Sequence, residues 1–317
     1  MIARRSLVLA ALAAPALAQD ARPIRLVIAF PAGGPTDVIG RLVGERMARF
    51  LNQTVVIENR GGANGNIAAE AVAKSDADGN VLLYNTSSIA ISRSLYRRLG
   101  YDVLRDLTPV ALTAAAPSLL VINPKLGVTD PAQFTAWARS NSGKISYGSG
   151  GVGNASHLQA FLVMRTIGAE ATHVPYRGTA AALTDTAAGN VQFMCDAFNT
   201  AYPLAKEGLV RPIAVTSITR AALLPDVPTM AESGLLPAGT DTGIWQGIMA
   251  PAKTPPATVQ RLNAAVNAAL ADEEVKARLA GMGARPTPGD VAAYARYLGS
   301  EIDLWGRVVK ESGAQED

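Results

Sequence analysis

The chain has 317 residues, 49% of them apolar and 17% charged, and its 29 basic and 26 acidic side chains leave a formal charge of +3. That length suits about two domains at roughly 150 residues each, with enough buried surface to fold without disulfide or metal staples. Near-balanced charge with no basic cluster gives nucleic-acid binding no footing, the apolar content excludes intrinsic disorder, and one cysteine with two histidines allows no intramolecular disulfide and no ordinary zinc site.

Residues 1–18 read as an export signal. Arg4 and Arg5 form a basic start, and the apolar run over 7–18 is shorter than the roughly 20 residues of a membrane span. Ala16-Leu17-Ala18 fits a small-x-small cleavage site, which makes Gln19 the first mature residue. No cysteine follows the cleavage site, so a lipoprotein is not expected. The general secretory route fits, and the paired arginines also fit twin-arginine export.

Residues 24–30 form an apolar, β-branched run that reads as a buried strand. It ends in Pro31-Ala32-Gly33-Gly34-Pro35-Thr36-Asp37, after which Val38, Ile39, Leu42, Val43, Met47 and Phe50 recur at helical spacing. A second strand over 53–58, a glycine-rich loop over 59–65, a helix over 67–74 and a third strand over 81–84 follow. Residues 118–122 are another apolar run, closed by Asn123-Pro124, and Asp130 caps a helix that opens on Pro131. Strands over 144–147, 172–176, 191–197 and 211–216 then alternate with helices over 154–167 and 179–188. A proline-punctuated loop covers 224–237, and 244–250 reads as a strand returning to the first unit. In the tail, Val259, Leu262, Val266 and Leu270 form one core stripe, and Val291, Tyr294, Leu298, Ile302, Trp305 and Val309 another. Alternating strands and helices predict an α/β protein with parallel, doubly wound sheets. The expected division is a signal over 1–18, a first domain over 19–123 and 246–317, and a second over 124–245. Two crossings make a hinge, and a hinge with a cleft makes a closing clamp.

Two glycine-rich loops, 31–37 and 148–154, each follow a strand and open a helix. Glycine lets the backbone approach a ligand closely, and the first N–H groups of a helix lack internal partners. Together they can cradle a carboxylate without any arginine; ordinary strand-to-helix turns carry the same pattern. Gly148, Gly150 and Gly153 match G-x-G-x-x-G. The acid that should close the next strand of a dinucleotide fold is missing, because that strand ends in Pro175-Tyr176-Arg177. No cofactor is expected. Neither a P-loop lysine nor a G-x-S-x-G elbow occurs, and no catalytic residue or metal site is assigned.

Asp37 and Asn154 fit helix N-caps. Thr86 and Ser87 follow the third strand and offer hydroxyls to a cleft, while Phe30, Tyr147 and Tyr176 flank the loops as walls. Asp196 lies at a strand end, where it would receive an ammonium group. His157 is expected to fix its loop through a backbone hydrogen bond, His173 to sit in the core or on the surface, and Cys195 to be a buried, inert thiol.

Several segments resemble signatures of the Bug, or tripartite tricarboxylate transporter (TctC-like), substrate-binding proteins. They are Phe30-Pro31-Ala32-Gly33-Gly34 with Asp37; Glu58-Asn59-Arg60; Tyr147-Gly148-Ser149 through His157-Leu158; Val174-Pro175-Tyr176-Arg177-Gly178; Ala214-Val215-Thr216-Ser217 with Pro225-Asp226-Val227-Pro228-Thr229; and Trp245-Gln246-Gly247 with Ala250-Pro251. The resemblance implies a periplasmic, monomeric binding protein with a type II, Venus-flytrap fold of two α/β domains. It implies a small organic acid ligand and delivery to a membrane permease of one large and one small subunit. By position, Ala32, Gly33 and Asp37 would serve the first loop, and Ser149, Gly151 and Asn154 the second. Gly34, Thr86, Ser87, Tyr176 and Asp196 complete the candidate set. After Asn59-Arg60 the family usually has Pro-Gly-Ala-Gly-Gly; here Gly61-Gly62-Ala63-Asn64-Gly65 places a side chain at Asn64, and Ala68 stands where glycine is frequent. An exported ligand sensor without a permease, or an exported enzyme using the same cleft, are the alternatives.

Overall fold

The computed structural model describes residues 22–317; the expected export signal and its cleavage site lie outside them. Strand β1 (Ile24–Ile28) is buried at four of its five positions, because helices cover both of its faces. It runs parallel to β2 (Val55–Asn59) and β3 (Val81–Thr86). The crossovers are α1 (Pro35–Leu51) and α2 (Asn66–Ala73), and α3 (Ser88–Leu95) follows β3. Strand β4 (Leu107–Ala116) then leads through Pro117 into β5 (Ser118–Ile122).

From β5 onward the chain builds a second sheet. Helix α4 (Pro131–Ser140), β6 (Ser146–Ser149), α5 (Ala155–Thr166), β7 (Thr172–Pro175), α6 (Thr179–Ala188), β8 (Phe193–Ala197), α7 (Phe198–Lys206) and β9 (Arg211–Val215) follow in order. Strand β10 (Ile244–Pro251) returns to the first sheet, and α8 (Pro256–Ala271), α9 (Glu273–Gly281), β11 (Arg285–Pro286) and α10 (Val291–Ser312) complete the chain. The sheet orders are β11-β4-β10-β3-β1-β2 and β7-β6-β8-β5-β9.

The sequence-based expectations need two corrections. Residues 118–122, expected to end the first unit, pair with β8 and β9 and belong to the second sheet, so the first passage falls at Pro117 rather than at Asn123. The sheets are also mixed rather than wholly parallel. Strand β10 is antiparallel to β3 and β4, and β5 is antiparallel to β8 and β9. A strand that enters directly from the other sheet has no crossover helix to enforce parallel pairing.

Each sheet has an apolar cluster on both faces. In the first sheet, fully buried Trp245 and Trp305 both donate their indole N–H to Glu301, at 2.8 and 3.0 Å. Helix α5 of the second sheet reaches across to the first. Its Leu158 joins the cluster that contains Trp245, its Arg165 pairs with Glu311 of α10, and Gln159 Nε2 donates to the Thr242 carbonyl at 2.5 Å.

Candidate functional site

A cavity of about 270 Å³ opens between the two sheets. Five helices begin at its wall: α1 at Pro35 and Thr36, α3 at Ser87 and Ser88, α5 at Asn154 to Ser156, α6 at Thr179 and α7 at Ala197. The starts follow from local sequence. Pro35 is pre-shaped for a first helical turn, and the Asn154 side chain accepts from Ser156 N at 3.0 Å as an N-cap. Each helix start carries roughly half a positive charge and backbone N–H groups without intrahelical partners, some of them taken up locally, as Ser88 N by Thr86 Oγ1 and Phe198 N by the Pro117 carbonyl. The lining contains no lysine or arginine, and its one ionisable side chain is Asp196. The positive potential is therefore supplied by peptide groups, and the chamber suits a small anion whose oxygens meet N–H and hydroxyl donors.

Of the sequence-predicted residues, Thr86, Ser87, Asn154 and Asp196 line this chamber. Ser87 N donates to the Trp245 carbonyl at 3.0 Å, which ties the site to β10. Thr86 Oγ1 donates to Ser88 Oγ at 3.0 Å. Asp196 is 1% exposed and accepts from Thr200 Oγ1 at 2.6 Å; burial pushes its carboxyl above the usual range, and that hydrogen bond partly opposes the shift.

The other candidates lie outside the lining. Ala32 and Gly33 are exposed in the loop before α1, with Gly34 half-buried at the helix start. Gly34, not Asp37, occupies the N-cap position, because Pro35 already opens the helix. Asp37 instead closes the loop from behind, accepting from Gly33 N at 2.9 Å, Arg41 Nε at 3.0 Å and Asn59 Nδ2 at 2.8 Å. Burial alone would raise its carboxyl, but these donors outweigh burial and hold it at about 2. Ser149 is fully buried; its hydroxyl meets His173 Nε2 at 2.6 Å and accepts from Gly151 N at 3.1 Å. Tyr176 donates to Asp185 Oδ2 at 2.7 Å. Phe30 does wall the chamber, whereas Tyr147 is buried under His173. His157 holds its loop as expected, with Nδ1 accepting from Gly153 N at 3.1 Å, and Cys195 is fully buried.

Sequence reasoning missed Ser118, Ser156, Gln159 and Thr179, all of which line the chamber. Ser156 and Thr179 could have been found as first-turn hydroxyls of helices that follow predicted strands. Ser118 and Gln159 carry no such local mark. A second cavity of about 370 Å³ lies at the hinge, lined by six alanines, by both passages at Pro117 and Gly243, and by the charged side chains Arg220, Asp241, Lys276 and Arg285. No helix begins in it, so its donors are cationic side chains rather than helix-start peptide groups.

The family model described as "Tripartite tricarboxylate transporter family receptor" matches residues 39–314. An R. palustris protein solved with adipate is 37% identical, with a TM-score of 0.80 over 92% of this chain and 98% of its own. MatC from Rhodopseudomonas palustris, solved with bound malate, is 34% identical, with a TM-score of 0.75 over 90% of this chain and 98% of its own. Protein BugT of Bordetella pertussis is 34% identical over 96% of this chain and 94% of its own. These relatives are named as receptors, binding proteins or ligand complexes and not as enzymes. With two lobes, a cleft ringed by helix starts and a family match over most of its length, the chain belongs to the solute-binding receptors of the tripartite tricarboxylate transporter, or Bug, family.

Proposed function

We propose that the protein captures a small organic carboxylate in the cleft and presents it, outside the cytoplasm, to a membrane permease of one large and one small subunit. The convergence of five helix starts on one chamber without a cationic side chain supports this reading. About four charge-assisted hydrogen bonds at roughly 1.5–3 kcal/mol each, less the cost of closure, reach the roughly −8 kcal/mol of micromolar binding. The carboxylate ligands of two relatives, adipate and malate, point the same way.

In this reading one lobe is 22–117 with 243–317, and the other is 118–242, closing about the passages at Pro117 and Gly243. Thr86, Ser87, Asn154 and Asp196 face the solute directly. The loops of Ala32 to Asp37 and of Ser149 to Gly151, with Tyr176 behind the second, set the positions of the α1 and α5 starts. Residues 1–18 direct export to the periplasm, and the receptor works as a monomer. Calorimetry on protein unfolded, stripped and refolded, with a panel of mono- and dicarboxylates, tests the reading. Micromolar binding of at least one acid is expected; nothing tighter than millimolar across the panel overturns it.

A further inference from the structure

Backbone donors recognise a carboxylate but say nothing about the rest of the solute. Two side chains in the chamber do. The first is Asn64, which lines the cavity from the first lobe, within the turn Ala63–Gly65. Its backbone sits at φ +55, in the left-handed region that disfavours a side chain, and Ala63 before it sits at φ +46. Asparagine tolerates this region better than other side chains, yet glycine would adopt the turn at no cost, so the side chain kept at this cavity wall is a candidate contact. The second is Asp196, which lines the chamber from the other lobe and is the one ionisable group there. Gln159, also in the wall, directs its amide nitrogen to the Thr242 carbonyl, which leaves Gln159 Oε1 as a buried acceptor without a donor. The chamber is thus rich in backbone donors at its helix starts and holds side-chain acceptors at Asp196 and Gln159.

We propose that Asn64 and Asp196 are specificity-determining residues that select a carboxylate carrying a hydrogen-bond donor, a hydroxyl or an ammonium group, on its carbon skeleton. The inference rests on the proposed carboxylate-binding role. A bound anion and an ionised Asp196 repel each other, and burial already disfavours the ionised form, so a donor on the solute is what would stabilise it. A donor placed between them satisfies both. Asn64 faces the same space with an amide that both donates and accepts. If instead Asp196 were neutral and donated to the solute carboxylate, unsubstituted acids would bind as well as substituted ones.

The test uses matched acids on the full mature protein after stripping: succinate, malate and aspartate, and propionate, lactate and alanine. Within at least one set, a donor-bearing acid is expected to bind about tenfold more tightly than the unsubstituted one. Asp196→Asn is expected to remove most of that preference. Asn64→Gly is expected to weaken the favoured acid several-fold while raising the thermal midpoint, since it relieves the left-handed strain; a merely structural asparagine would not separate affinity from stability in that direction. Equal affinity for the unsubstituted acids in the unmodified protein overturns this inference and leaves the carboxylate reading standing. Unchanged affinity in Asn64→Gly removes Asn64 from the pair. Failure of every acid to bind overturns both readings.

Discussion

The imidazole rings of His157 and His173 lie face to face, with centroids 3.7 Å apart and planes 3° from parallel. His157 Nδ1 accepts from Gly153 N, and His173 Nε2 shares a hydrogen bond with the Ser149 hydroxyl, so the pair braces the glycine-rich loop at two points. Tyr147 stacks against both rings. Burial pushes both imidazoles down to about 4, and the proximity of His173 pushes His157 in the same direction. In the unfolded chain they titrate near 6.5. Below that pH the unfolded state takes up protons that the folded state refuses, so stability falls between 6.5 and about 4. The loss is about 3 kcal/mol for buried His157, with a smaller contribution from the partly exposed His173. As pH falls across that range, urea midpoints should drop less, or rise more, in His157→Gln/His173→Gln than in the unmodified protein. An unchanged slope in the variant would assign the loss to other groups.

Glu301 acts with the opposite sign. Burial raises its carboxyl to about 7, and the two indole N–H donors offset only part of that rise. Between the unfolded value of 4.5 and about 7, the unfolded chain ionises while the folded one stays protonated, so stability falls as pH rises. The cost above that window is roughly 3 kcal/mol. Glu301→Gln keeps a carbonyl acceptor for Trp245 and Trp305 and is expected to recover most of it at mildly alkaline pH. Tryptophan emission should titrate near neutrality in the parent and not in the variant. Because this window overlaps that of the histidines, the parent's net pH profile is shallow, and only the variants separate the two effects.

Gly33 and Gly153 both have positive φ, at +85 and +68, yet they differ in surroundings. A Cβ on Gly33 meets open space, whereas one on Gly153 would overlap the Leu95 side chain of α3. Gly33→Ala should therefore cost only the backbone term of about 1 kcal/mol. Gly153→Ala should add about 1–3 kcal/mol of overpacking and displace the α5 start. Comparison of the two thermal midpoints checks this; equal losses would place Leu95 elsewhere in solution.

Asp37 fixes the first loop through donors from Gly33, Arg41 and Asn59. Asp37→Asn keeps the shape but not the charge, and it presents an amide nitrogen to groups that can only donate. A loss of about 1–3 kcal/mol of stability is expected, with weaker solute binding because the α1 start lies in the cleft wall. Calorimetry and denaturation on the same variant measure both; retained affinity would detach the loop from the site.

Much of this architecture is legible in order along the chain. The runs at β1 and β6, each followed by glycines and a helix, are local patterns, as are the Asn154 cap and the inert Cys195. Strand β4 escaped notice because its sequence is alanine-rich and carries Pro109, which argues against a strand. It tolerates Pro109 because β11 pairs with β4 only at Ala114 and Ala115, leaving the edge open at the proline. Helix α3 is short and β-branched, and α7 contains Pro203, so neither has a strong helical signature. The sheet that β5 joins depends on partners more than seventy residues away, at β8 and β9, which no local reading supplies.

The sequence by itself determined the α/β class, the two strand–glycine–helix units and the Asn154 cap that starts the second unit's helix, because these depend on neighbours within a few residues. Only the tertiary structure decided that five helix starts meet in one chamber, that Asp37 braces a loop instead of capping a helix, and that Asn64 and Asp196 share a cavity from opposite lobes. Those outcomes are set by packing across the hinge, where the contacting groups are distant in the chain and each side chain's partners come from another element.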